Sequence, residues 1–599
     1  MAYSISKEQI NAFVGEVFAV YLISDKDETP TGVIWENDSD DLKIRHFDSK
    51  DEYGTEAGIL AVATNPGNYT VKATLDGAEY TTQILVKKMK CYDGKSPLNF
   101  YRGDMHVHTS MDHCKETFPQ RIGESAYDML KKVKDEGTLD FTVISDHGDV
   151  LCEKEFLEAF IDAERIEPIN TVIFPGSESE ANVYVKDRFG TQHKHSGEVV
   201  MINTMGYSGS VEWNGFLDDH KESPIPVGVF AHPQVVGSDG SSGLWNNDYS
   251  YIVNIGLSRF MRLLEIGKGE DRAENLIHEY SYTDALDAGF RISVSVGSDS
   301  HGPIYGSKAC TGKTVILATE KTKEAMLDAL LSNRAYATES GNVKLTYSVN
   351  GKAAPTDLDD ATVYEFNVNI GYFEEDKDSE VVLCQVISDY GEKLLLVPCD
   401  GKTALSFSVI SESARFFYLR LIDRLGRKTW SMPVWCGREF DKCEEKAYEL
   451  LSTDEYDIYD NCGNDLSVLK STNIWRDRVF EGKSAEVILE LKNEQKISAL
   501  GLTHKKLSWQ DMRAKGEKTA DYLQGFVSKY IISVSSDGKE YKKVKEGVIK
   551  VFGDEVILGF EPEVAKYLKF EALSTVGYES ELPKYRDAKV RIANISLYK

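Results

Sequence analysis

At 599 residues the chain is too long for one hydrophobic core, so several domains are expected. Hydrophobic residues make up 41% and charged residues 28%, the mix of a globular protein, and no apolar run nears the roughly 20 residues of a membrane-spanning helix. The net charge of −28 argues against a nonspecific nucleic-acid-binding surface, but not against a small anion held by metal ions.

The start, MAYSISKEQINAF, lacks the basic and apolar regions of a signal peptide. As it stands the chain reads as cytoplasmic; it reads as secreted or cell-surface if a leader has been removed. The nine cysteines are scattered, with no CxxC, so neither a disulfide framework nor a zinc knuckle is expected.

Residues 1–92 read as all-β. Gly58 to Val62, Tyr69 to Ala73 and Thr81 to Val86 are short strand candidates separated by Gly, Asn and Asp. Val33-Ile34-Trp35 followed by Gly67-Asn68-Tyr69-Thr70-Val71 resembles a bacterial immunoglobulin-like domain. Residues 93–341 change character. Ala126, Met129, Leu130 and Val133 recur at helical spacing before the apolar run Phe141 to Ile144, and Thr322 to Leu331 is a second amphipathic helix. Alternating β and α segments imply a parallel sheet or barrel. Residues 342–440 return to β, 441–462 form an acidic linker, and 463–599 are β again.

The chemistry concentrates in the second segment. Ten of the twelve histidines fall between Tyr101 and Gly302. His, Asp and Glu follow short apolar runs in His106-Val107-His108, Asp146-His147, Glu178, His193-Lys194-His195, His232 and Asp299-Ser300-His301. Imidazole and carboxylate are the side chains that bind catalytic zinc, iron or manganese. On a strand, His106 and His108 point to one face, so one metal can take both. Asp104, two residues earlier, shares that face and can orient a ligand.

This ordered series resembles the PHP (polymerase and histidinol phosphatase) metallohydrolases, nearest to their CehA/McbA-like branch. The resemblance implies a distorted (β/α)7 barrel carrying two or three divalent metals, Zn, Mn or Fe. It implies that His106, His108, Glu178 and Asp299 hold one metal, and that Glu178 bridges to a second held by His195 and His232. His147, His301 and a ligand from the loop after His108 would hold a third. Spacing favours His113 for that loop ligand, with Asp112 as the alternative. His195 is favoured over His193. Glu178, His232 and Asp146 are the catalytic candidates, with Asp146 also readable as a supporting residue. Glu265 ends another apolar run. Lys194, Lys268 and Arg188 are candidate anchors for an anionic substrate, or solvated loop cations.

Residues 463–599 resemble an F5/8 type C (discoidin-like) jelly roll, on Ser535-Ser536-Asp537-Gly538 after a β run and the closing strand Ile592 to Tyr598. The resemblance implies sugar binding in loops, for which Trp509, His504 and Tyr578 are candidates, while Trp475 reads equally as core. The fold class is therefore multidomain α/β plus all-β, with β sandwiches flanking the barrel and a C-terminal jelly roll. The expected function is a metal-dependent phosphoesterase or phosphodiesterase acting on a small, sugar-containing substrate, with hydroxide delivered by the metals. The alternatives are carbamate, ester or amide hydrolysis with the same metals, and a non-catalytic glycan-binding protein. No nucleic acid or membrane partner is expected.

Overall fold

The computed structural model describes residues 3–25, 30–47, 58–109, 125–166, 170–186, 192–209, 211–233, 249, 259–267, 272–301, 305–306, 310–438, 448–470, 475–478, 484–504, 525–549, 555–575 and 589–599. Side chains are described for all of these except 183–186, 192–196, 272–277 and 475–478. The chain divides into two compact units. One comprises residues 1–233, 252–272 and 290–438; the other comprises 234–251, 273–289 and 439–599.

The first unit opens with β1 (Tyr3–Ile5), β2 (Gln9–Phe13), β3 (Val17–Ser24), β4 (Ile34–Asn37), β5 (Leu42–His46), β6 (Gly58–Ala63), β7 (Gly67–Leu75) and β8 (Ala78–Lys87). They form two four-stranded sheets, ordered β1-β3-β6-β5 and β2-β8-β7-β4. In β7 the buried Tyr69, Val71, Ala73 and Leu75 alternate with less buried residues, as a sheet with one covered face requires. β6 is buried throughout. Its Ile59, Ala61 and Ala63 join the sandwich core, while Leu60 and Val62 join a second core with Leu130, Phe156 and Phe160. The boundary expected at 92 therefore does not separate independent cores, because the sandwich covers helices that come later in the chain.

Next come β9 (Asn99–Asp104), α1 (Ala126–Glu136), β10 (Phe141–Ile144), α2 (Glu153–Arg165) and β11 (Val172–Lys186), with β9, β10 and β11 parallel. The Ser125 hydroxyl caps α1 by accepting from the Asp128 N–H at 3.1 Å, and Gly137 ends it at φ 65°. Ala126, Met129, Leu130 and Val133 are its buried stripe. Regular alternation stops at β11, which turns back into β12 (Gln192–Ile202) as an antiparallel hairpin. β13 (Val211–Glu212), α3 (Trp213–Asp219), β14 (Val227–Phe230), β15 (Met261–Gly267) and β16 (Ser293–Val296) follow. The observed order is β16-β15-β14-β12-β11-β10-β9, with β12 antiparallel to both neighbours, so the described strands do not by themselves show the expected distorted (β/α)7 barrel. Just past β9 and β16, Val107 and Ser300 form a parallel bridge, so the sheet curls until its ends meet there.

From β9 the sheet continues through β17 (Lys313–Ala318) and β18 (Ala335–Thr338). β19 (Val343–Val349), β20 (Lys352–Ala353), β21 (Thr356–Asp357), β22 (Val363–Tyr372), β23 (Val381–Ile387), β24 (Lys393–Pro398), β25 (Ala404–Ile410), β26 (Phe416–Asp423), β27 (Lys428–Trp430) and β28 (Val434–Trp435) complete the unit. Sheet β20-β19-β22-β25 shares a core with β23 and β26 through Leu345, Phe366, Cys384 and Phe417. β18 pairs with β27, Ala337 opposite Trp430 and Thr338 opposite Thr429. One sheet therefore crosses the boundary expected at 341.

The described strands of the second unit are β29 (Tyr456–Asp460), β30 (Trp475–Arg478), β31 (Ala485–Thr503), β32 (Lys529–Ser535), β33 (Lys542–Val548), β34 (Val556–Ala572), β35 (Lys589–Ile592) and β36 (Asn594–Tyr598). They order as β29-β31-β34-β32-β33, with β36 also on β31 and β30 paired to β35. Leu489, Ile532, Leu568, Phe570 and Ile592 anchor one core. The linker expected over 441–462 is partly sheet, because Tyr456 and Ile458 are buried in β29 while Asp457 is exposed. Among the described residues no helix is long and apolar enough to cross a membrane.

Candidate metal centre

Where the curled sheet closes, strand alternation decides which side chains meet. Val107 is buried in the core with Leu130 and Ile144, which sends the flanking His106 and His108 to the other side. Their Nε2 atoms lie 3.0 Å apart. Backbone pairing locks this pair to the end of β16: the His108 N–H donates to Ser300 O at 3.1 Å and the Asp299 N–H to His106 O at 2.9 Å. Asp104 ties both ends, its Oδ1 accepting from the His106 N–H at 3.2 Å and the Ser298 N–H at 3.0 Å. Gly297 is required here, since a Cβ would sit 2.3 Å from the His106 Cβ. Asp299 stands at φ 47°, a left-handed conformation found at functional sites.

Glu178, on β11, is the centre of the arrangement. Its Oε1 lies 2.9 Å from His232 Nε2. Its Oε2 lies 3.3 Å from His106 Nε2, 3.4 Å from His108 Nε2 and 3.2 Å from His147 Nδ1. Asp299 Oδ1 adds contacts of 3.0 Å to His108 and 3.4 Å to His106. His301 stacks on His108 at 3.9 Å between ring centroids, and its Nε2 lies 3.4 Å from His147 Nε2. The Glu178 side chain is fully buried, yet neither carboxylate oxygen has a well-aligned hydrogen-bond donor. Imidazole and carboxylate donors that converge at this spacing could hold a shared cation.

Charge and burial oppose each other in this cluster. Desolvation alone would push His106 down, but the Glu178 and Asp299 carboxylates outweigh it and raise the imidazole to about 10. Burial would raise the Glu178 carboxyl, yet His106, His147 and His232 hold it well below the usual carboxylate range. A divalent ion satisfies the same carboxylates with more charge than a single proton.

Among the described residues the donor atoms fall into three groups, each within 4.8 Å: His106, Glu178, His232 and Asp299; His108, His147 and His301; and His147, Glu178 and Glu198. Nitrogen and carboxylate donors fit Zn, Mn or Fe. The grouping differs from the expected one, with His108 beside His147 and His301 while also reaching Asp299. Glu265, buried at the end of β15, sits 3.0 Å from His106 Nδ1, a contact that orients the ring with Nε2 toward the cluster. Asp146 is a positioning residue: its two oxygens accept from the Thr109 N–H at 2.6 Å and the Thr109 hydroxyl at 2.9 Å.

Sequence reasoning missed Glu198. It introduces the run Val199 to Ile202 and shares a strand face with Val200, which pairs with Glu178. That alternation was the available signal. His113 and Asp112 lie outside the described residues, as do Arg188, Lys268, Trp509 and Tyr578. His193, Lys194 and His195 are on β12, with side chains outside the described residues; His195 pairs with Val183. His504 requires a correction. It is 3% exposed, stacks on Phe526 at 4.5 Å, and its Nε2 accepts from the Val527 N–H at 3.0 Å, so it is core rather than a sugar-binding loop residue. Burial pushes its imidazole down to about 3.

No family model matches the chain, and no curated protein does. Solved structures similar to part of it are discoidin-like β domains. CpGH89CBM32-5 from Clostridium perfringens, in complex with GalNAc-β-1,3-galactose, is 17% identical, with 25% of this chain and 100% of that one covered and a TM-score of 0.19. The family 32 carbohydrate-binding module of C. perfringens NanJ, in complex with galactose, is 16% identical, covering 26% and 100%, at 0.19. An F5/8 type C domain from Bacteroides fragilis is 12% identical, covering 25% and 96%, also at 0.19. At these values the likenesses carry no inference about what this chain binds.

Proposed function

We propose that the strand-end cluster is the centre of a metal-dependent hydrolase acting on phosphate esters. The observation that carries this reading is Glu178, a fully buried carboxylate with four imidazole nitrogens within 3.4 Å and no well-aligned donor. Two or three bound divalent ions would supply Lewis acidity and activate water at neutral pH. His106, His108, His147, Glu178, His232, Asp299 and His301 would hold them, Glu265 would orient His106, and Asp104 and Asp146 fix the backbone that carries the histidines. The His147 and His301 side chains, 25% and 31% exposed, mark the open side where substrate enters. The choice of phosphate esters rests on the resemblance of the motif series to the PHP metallohydrolases. Carbamates, esters and amides remain substrates the same residues can serve.

A second reading assigns the second unit to glycan binding. This reading rests on the resemblance of residues 463–599 to an F5/8 type C jelly roll, and the hydrolase reading on the site geometry together with the motif series. One experiment separates them: the full chain, loaded with Mn, Fe or Zn, is assayed on aryl phosphates, phosphodiesters and aryl carbamates and applied to a glycan array. Phosphate-ester turnover lost in Glu178→Gln supports the first reading. Carbamate turnover alone would change the bond, and glycan binding with no turnover in metal-replete protein would leave only the second.

A further inference from the structure

We propose that Glu198 completes a second metal position on the Oε1 side of Glu178, giving it an oxygen-rich donor set that favours Mn2+. This rests on the metal cluster of the hydrolase reading and adds which residue closes it and which cation it prefers.

The two oxygens of Glu178 face different partners. Among the described residues, Oε2 meets His106, His108 and His147, whereas Oε1 meets His232 at 2.9 Å. A cation on the Oε1 side therefore has His232 Nε2 and one carboxylate oxygen, and needs a third ligand. Glu198 Oε2 lies 3.4 Å from His232 Nε2, and the Glu198 carboxylate falls within one 4.8 Å group with Glu178 and His147. Strand register explains the placement. Glu178 pairs with Val200 and Glu180 pairs with Glu198, so Glu198 lies diagonally across from Glu178 on the same face. His195 pairs with Val183, five residue pairs further along the hairpin, or about 16 Å of strand.

The donor chemistry then differs between positions. Glu178 and Glu198 give the second position two carboxylates with His232. His108, His147 and His301 form an all-imidazole group. Carboxylate oxygen suits Mn2+, whereas imidazole suits Zn2+. At 26% side-chain exposure, Glu198 also leaves this position accessible to exchange.

The test is metal uptake by the full chain, read by elemental analysis after desalting and by Mn2+ titration followed by electron paramagnetic resonance. Glu198→Gln is expected to lose one Mn2+ equivalent, or to bind it at least about tenfold more weakly. It keeps the remaining metal and a wild-type circular dichroism spectrum. Glu198→His is expected to keep Zn2+ at that position while losing Mn2+, and His195→Ala to match wild type. Wild-type Mn2+ affinity and stoichiometry in Glu198→Gln would overturn the proposal and leave the hydrolase reading standing, as would loss of the equivalent in His195→Ala instead. A wild-type chain that takes up no metal would overturn both.

Discussion

His106 and His220 lie in the same unit, both almost wholly removed from solvent, and titrate at opposite extremes. His220 pairs its Nδ1 with the Thr204 hydroxyl at 2.7 Å and packs on Phe216. Burial pushes it down to about 3, and the Arg45 charge adds in the same direction. His106 is buried as deeply, yet Glu178 and Asp299 raise it to about 10. Burial alone makes a neutral core histidine. Burial beside the Glu178 and Asp299 carboxylates reverses that direction. His504, in the second unit, belongs with His220.

The largest effect should come from removing the carboxylate that distinguishes the two regions. Glu178→Gln should lower turnover by about 10² to 10³-fold or more, with loss of bound metal. A variant that keeps both would erase the contrast between the regions. Glu265→Gln tests orientation rather than charge at the centre. Metal affinity should fall by about 10 to 100-fold, as for other partners that orient a ligand, and calorimetric titration measures it; an unchanged affinity would mean that His106 needs no such partner.

The neutral histidines make the opposite prediction, about stability and pH. His220 and His504 have folded values near 3, below the ordinary 6.5, so the unfolded chain binds their protons first. Their contribution is complete above about pH 6.5 and declines as pH falls toward 3, by at most about 1.4 kcal/mol per pH unit for each. Denaturant unfolding at pH 7 and pH 5 measures it, and His504→Gln should flatten the slope of the second unit. An equal slope in that variant would place the titration elsewhere. The smallest effect is local: Ser125→Ala removes the cap of α1 and should cost about 1 kcal/mol without changing metal content.

Much of the centre was legible because strand alternation is a short-range rule. His106-Val107-His108 shows its shared face in three letters, and Asp146-His147, Glu178, His232 and Asp299 each follow an apolar run. Glu198 was not legible as a neighbour of Glu178 and His232, because a carboxylate ahead of an apolar run reads equally as a strand start. Its role depends on register with β11. His504 was placed in a loop, because a lone histidine after an apolar run reads equally as loop or core. Only its packing against Phe526 and Val527 shows it to be core. The contacts that cross 92 and 341 were hidden for a related reason. β6 and β18 look like ordinary strands in sequence, and what crosses each boundary is a core or a sheet partner far along the chain.

The measurement that bears most directly on the central claim is the metal content of the full chain, reconstituted with Mn or Zn and desalted, beside Glu178→Gln and His220→Ala. The account predicts two or more equivalents in wild type, their loss in Glu178→Gln, and a wild-type value in His220→Ala. Less than one equivalent in wild type, or full retention in Glu178→Gln, would contradict it.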